Sequence, residues 1–129
     1  MTELNENAIT KVATVVGINA KTVAVTTLYT VPTGKTFIPD HIVIRVTAFT
    51  NGGKGVEAIV SFCGNSATYD DYLNSVTYTV AAAAVLIRDS VEDTAVVTQA
   101  AGDLFSISIE TGSDATLETW AVDVFGHLV

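Results

Sequence analysis

Basic side chains are scarce in this sequence. Its 129 residues include six Lys and Arg against fourteen Asp and Glu, a formal net charge of −8, and no two of the basic residues are neighbours. Non-specific binding to nucleic acid or to an anionic membrane needs Lys and Arg to meet phosphates, so this balance argues against both. Cysteine occurs once, at Cys63. That excludes an internal disulfide and leaves packing to hold the chain together. The longest apolar run is Val80 to Ile87, eight residues. A helix needs roughly 20 to span a bilayer. The first residues, Met1-Thr-Glu-Leu-Asn-Glu-Asn-Ala8, lack the basic and apolar regions of a secretory signal. The expectation is a soluble, unprocessed chain made in the cytoplasm. Long stretches with helical periodicity are missing as well.

What the chain has in quantity is β-branched residues: 19 Val, 19 Thr and 9 Ile, 47 of 129 positions. Such side chains are stiff at χ1 and suit a pleated, half-buried surface. Period-2 alternation supports this. Ile42, Ile44, Val46 and Ala48 alternate with His41, Val43, Arg45 and Thr47; Phe105, Ile107 and Ile109 alternate with Leu104, Ser106, Ser108 and Glu110. Trp120, Val122 and Val124 share a face opposite Asp123. Further strands are predicted at Ile9–Val16, Thr22–Val31, Val56–Cys63, Ser75–Val80, Ala84–Arg88 and Thr94–Gln99. Turn chemistry separates them: Gly17-Ile-Asn-Ala-Lys21, Val31-Pro-Thr-Gly34, Asn51-Gly-Gly-Lys-Gly55, Ala101-Gly-Asp103 and Gly112-Ser-Asp114. The run Ala81–Ala84 reads as strand edge or loop. Eight or nine short strands in this length predict an all-β fold, an antiparallel β-sandwich and most simply a jelly roll. An immunoglobulin-type sandwich is the alternative, without the Cys…Trp…Cys pattern. Residues 1–8 read as an N-terminal arm and residues 9–129 as a single sandwich domain.

Chemistry-bearing patterns are few. Cys63 with His41 or His127 has the residue types of a thiol nucleophile and base. Cys63 nevertheless closes the apolar strand Ile59-Val-Ser-Phe-Cys63 and reads more simply as a small buried hydrophobe. Gly52-Gly-Lys-Gly55 is not followed by a helix, as a phosphate-binding loop requires, and reads as a hairpin turn. The acidic groups Asp70-Asp71 and Asp89, Glu92 and Asp93 match no calcium loop and read as solvated surface, although loop carboxylates are calcium's ligand type. Two distant histidines give no zinc spacing. The reading therefore assigns no catalytic residue, no metal site and no cofactor. Thr26, Thr30 and Thr47 are expected on polar outer faces. Tyr69-Asp70-Asp71-Tyr72 is predicted as an exposed loop able to contact a protein or a sugar.

Two segments resemble small β-sandwich proteins of tailed bacteriophages. One is Leu28-Tyr-Thr-Val-Pro-Thr-Gly-Lys-Thr-Phe-Ile-Pro39 with the strand His41-Ile-Val-Ile-Arg45. The other is Ala100-Ala-Gly-Asp-Leu-Phe-Ser-Ile-Ser-Ile109 with Ala121-Val-Asp-Val-Phe-Gly-His-Leu-Val129. Together they cover about half the domain. The resemblance implies a virion structural protein, most specifically a decoration (cement) protein that sits on the capsid exterior as a homotrimer and binds the major capsid protein. It carries over no catalytic residue. The contact residues expected on this reading are Thr2, Glu3, Leu4, Asn5 and Glu6 of the arm and Tyr69, Asp70, Asp71 and Tyr72 of the loop. A tail- or fibre-associated domain recognising a host glycan or protein through Tyr69 and Tyr72 is the alternative.

Overall fold

In the computed structural model, described for residues 8–52, 57–63, 71–90 and 98–129, the alternating segments become eight strands. They are β1 (Thr10–Asn19), β2 (Ala24–Thr30), β3 (Phe37–Thr50), β4 (Glu57–Phe62), β5 (Leu73–Thr79), β6 (Leu86–Asp89), β7 (Leu104–Thr111) and β8 (Leu117–Leu128). No helix occurs among the described residues. The strands form two four-stranded antiparallel sheets, β1-β8-β3-β6 and β2-β7-β4-β5. The predicted strand Thr94–Gln99 lies mostly outside the described residues; Gln99 makes an isolated bridge to Phe37.

The pairing is nested. β1 pairs with β8, β2 with β7, β3 with β6 and β4 with β5, while β3–β8 and β4–β7 contacts join these pairs into sheets. A long antiparallel ribbon folded over on itself gives this order. Alternation then fixes what lies between the sheets. Sheet one contributes Ile42, Ile44, Val46, Trp120, Val122 and Val124; sheet two contributes Ala58, Val60, Phe62, Phe105, Ile107 and Ile109. Phe37 lies at the centre of an aromatic cluster, edge-on to Tyr29 and Phe105.

The two open sides of the sandwich differ. On the β5/β6 side, the Tyr72 hydroxyl donates to the Asp40 carbonyl at 2.6 Å, and the Tyr78 hydroxyl donates to the Asp89 carboxylate at 2.9 Å. Each bond ties the second sheet to the first, and burial followed by the Asp89 hydrogen bond raises the Tyr78 hydroxyl's pKa. On the β1/β2 side a cleft of about 290 Å³ remains, lined by residues such as Val15, Ile18, Thr26 and Ile109. Val16 lines it and is exposed, and Val23 and Val25 are exposed at the β2 edge, Val25 on the outer face with Ser108. Thr26 pairs with the inward Ile107 and lines this cleft, so it does not belong to an outer face as expected, whereas Thr30 and Thr47 are exposed.

Candidate interaction surface

Register brings scattered side chains onto the outer face of the β1-β8-β3-β6 sheet. Across β3 and β8, His41 is opposite Phe125, Val43 opposite Asp123 and Arg45 opposite Ala121. β1 adds Lys11 beside Phe125 and Thr14 beside Asp123. β6 adds Arg88 beside Val43 and Leu86 beside Arg45. Paired residues share a face, so these side chains form one surface. Five Lys and Arg lie among the described residues: Lys11, Arg45 and Arg88 are on this face, while Lys21 and Lys35 are in turns.

The centre of this face is fixed by a bidentate ion pair. Arg45 donates from Nε to Asp123 Oδ2 at 3.0 Å and from Nη2 to Oδ1 at 3.1 Å, and Thr14 Oγ1 donates to Oδ1 at 2.7 Å. Burial alone would raise the Asp123 pKa. The hydrogen bonds from Arg45 and Thr14, with attraction from Arg45 and Lys11, outweigh burial and hold it below the ordinary carboxylate range. Next to this pair the His41 ring stacks on Phe125 at 4.4 Å between centroids, and Asp40 Oδ2 lies 2.7 Å from His41 Nδ1. Leu86, 68% exposed, stands beside Arg45 across the pairing.

The opposite outer face has a different chemistry. Thr27, Ser75 and Thr77 carry hydroxyls on that side, with Ser61, Ser106 and Ser108 buried among them, alongside the carboxylates Glu57 and Glu110 and no cation among the described residues. Glu110 accepts from Ser61 Oγ at 2.6 Å and from Ser75 Oγ at 2.7 Å, which lowers its pKa. Ser75, with φ at +48°, is held by the same cluster through its N–H, which donates to Ser61 Oγ.

The expected contact residues fare unequally. Thr2, Glu3, Leu4, Asn5 and Glu6, and Tyr69 and Asp70, lie outside the described residues. Asp71 is exposed. Tyr72 corrects the prediction of an exposed ring: it is 6% exposed, packs edge-on against Phe105 and has its hydroxyl committed to Asp40. The run Tyr69-Asp-Asp-Tyr72 reads as polar and therefore exposed. Tyr72, however, immediately precedes β5 and closes the gap between the sheets. Cys63 is buried in the core, in no disulfide, and His41 lies on the outer face of the other sheet. Asp89 is turned inward to Tyr78.

The cationic face was missed because Lys11, Arg45 and Arg88 are far apart in sequence and only the nested pairing collects them. A usable signal existed, since these three are carried on strands while the other described cations sit in turns.

No family model matches the sequence, and no curated protein matches it. Among solved structures, the fold is similar to a chain in the acidic stable capsid structure of Helicobacter pylori bacteriophage KHP30. The TM-score is 0.55 with 10% sequence identity, over 95% of this chain and 96% of that one. At that identity the likeness is one of fold: an all-β sandwich shared with a phage capsid chain.

Proposed function

We propose that this chain is a virion structural protein of a tailed phage: a decoration (cement) protein that binds the outside of the head and stabilises the capsid lattice. The observation that carries this reading is the near-complete mutual coverage with the KHP30 capsid chain, which spans the whole sandwich rather than one sheet. The nested pairing supports a jelly roll, since β1-β8-β3-β6 facing β2-β7-β4-β5 is the order a rolled antiparallel ribbon produces. The sequence resemblance to phage β-sandwich proteins points the same way and adds the location.

The chain acts by binding, not by chemistry. A protein that binds the assembled lattice and not its unassembled parts stabilises the lattice by mass action, and many copies add avidity. The self-contact of a homotrimer falls on the open β1/β2 side, where Val16, Val23 and Val25 supply exposed apolar area. The arm residues Thr2–Glu6 and the exposed Asp71 remain its candidate contacts with the major capsid protein.

The test mixes purified chain with heads lacking it. The expected result is co-sedimentation, a chain mass near three copies by light scattering, and heads that resist heat better once decorated. Heads that neither bind the chain nor gain heat resistance overturn the role, and a chain found on tails moves it to the recognition alternative.

A further inference from the structure

The geometry points to the outer face of the β1-β8-β3-β6 sheet as a docking surface for a carboxylate-bearing protein surface. This deepens the decoration reading and rests on it, the partner being the capsid lattice. In a chain of net charge −8, scattered placement would leave few places where cations outnumber carboxylates. Here Lys11, Arg45 and Arg88 share one face, while the opposite face carries Glu57 and Glu110 and no cation among the described residues. Among the described residues, two carboxylates belong to the cationic face. Asp123 is consumed internally by Arg45 and Thr14, and Asp40 lies against His41. Lys11 and Arg88 flank that fixed centre from the two outer strands, and both are exposed.

Between the cations lie Leu86, Val43 and the His41–Phe125 stack. Apolar and aromatic area interleaved with Arg is the composition of protein interfaces, where area and charge act together. A phosphate backbone would instead call for a denser row of cations with donors free to meet it, and both Arg45 donors toward Asp123 are occupied. A second copy docking its carboxylate face here is disfavoured by symmetry. The two faces look in opposite directions, so that contact would repeat head to tail and build an open filament.

The experiment measures sedimentation with undecorated heads for the wild type, Lys11→Glu, Arg88→Glu, their double variant, and Lys35→Glu in the β2–β3 turn as a matched control. Arg45 is left intact because its loss would strand Asp123 and confuse binding with folding; thermal melts confirm that every variant is folded. The expected result is binding weakened about tenfold by each face reversal, more by the pair and not by the control. Wild-type binding should also fall between about 50 mM and about 500 mM salt. Wild-type binding with all variants equal overturns this face while leaving the decoration role standing; no wild-type binding overturns both. Wild-type retention on duplex DNA that is lost in the same variants, or a mass that falls to one chain in Arg88→Glu, assigns the face to another occupant and also overturns the proposal.

Discussion

Glu118 is fully buried, with Oε2 accepting from Trp120 Nε1 at 2.9 Å and Oε1 meeting no hydrogen-bond donor among the described residues. Burial raises its pKa, and hydrogen bonds from Ser113 and Trp120 offset only part of that rise. A carboxyl whose pKa is higher folded than unfolded takes up a proton on folding, so its contribution to stability is full at low pH and is lost as pH rises through the folded value. Glu118→Gln keeps the shape and removes the charge. Its denaturation midpoint in urea should exceed that of the wild type at pH 8, with the gap closing toward pH 5. Asp123 and Glu110 work in the other sense, since both pKa values are lowered and their contributions are lost as pH falls through the folded values. Removing Arg45 leaves Asp123, 7% exposed, without its bidentate partner. Arg45→Ala should cost about 1–3 kcal/mol at neutral pH by urea denaturation, below the figure for a fully buried pair because the Arg45 side chain is partly exposed.

Elements are shaped by features that local pattern does not fully report. β3 extends from Phe37, although Pro39 suggests a boundary and the alternation becomes clear only at His41. Proline is tolerated because β6 pairs only from Ile42 to Arg45, so Pro39 withholds its missing N–H from no β6 neighbour. A bulge between Pro39 and His41 then restores the register to β8. Gly126 faces Pro39 in that stretch, and a Cβ there would lie 2.4 Å from the Ile38 carbonyl oxygen and 2.5 Å from a Phe37 ring carbon. Gly126→Ala should therefore destabilise the chain by about 1–3 kcal/mol, read from the shift in urea midpoint. The strand interiors of β3, β7 and β8 were legible because each has one dry face, which forces alternation. Tyr72 was not legible, because its burial depends on Asp40 arriving from a distant strand to accept its hydroxyl.

Pairing over the whole molecule depends on long-range closure, and this is what composition could not show. Forty-seven β-branched residues argue for strands, and turn spacing argues for a sandwich, but neither says that β1 must wait for β8. The nested order brings the first and last strands together last in any chain-order assembly, so loop closure precedes much of the reward. Refolding from urea should accordingly take milliseconds to seconds, as for other sandwiches, measured by Trp120 fluorescence in stopped flow. Microsecond refolding would contradict that topology-based expectation. The same topology collects the cationic face, so the candidate site was hidden for the same reason as the strand order.

Among the described residues, Lys11, Arg45 and Arg88 share one broad face with Asp40 and Asp123, whereas the other carries Glu57 and Glu110 and no cation, so charge is polarised across the thin dimension of the sandwich. A net charge of −8 would by itself repel the chain from an anionic surface in every orientation. The polarisation breaks that equivalence by exerting a torque. As the molecule comes within a Debye length of such a surface, it turns Lys11, Arg45 and Arg88 forward and the hydroxyl-rich face away. Orientation is then selected before contact, and fewer collisions arrive with the wrong side down.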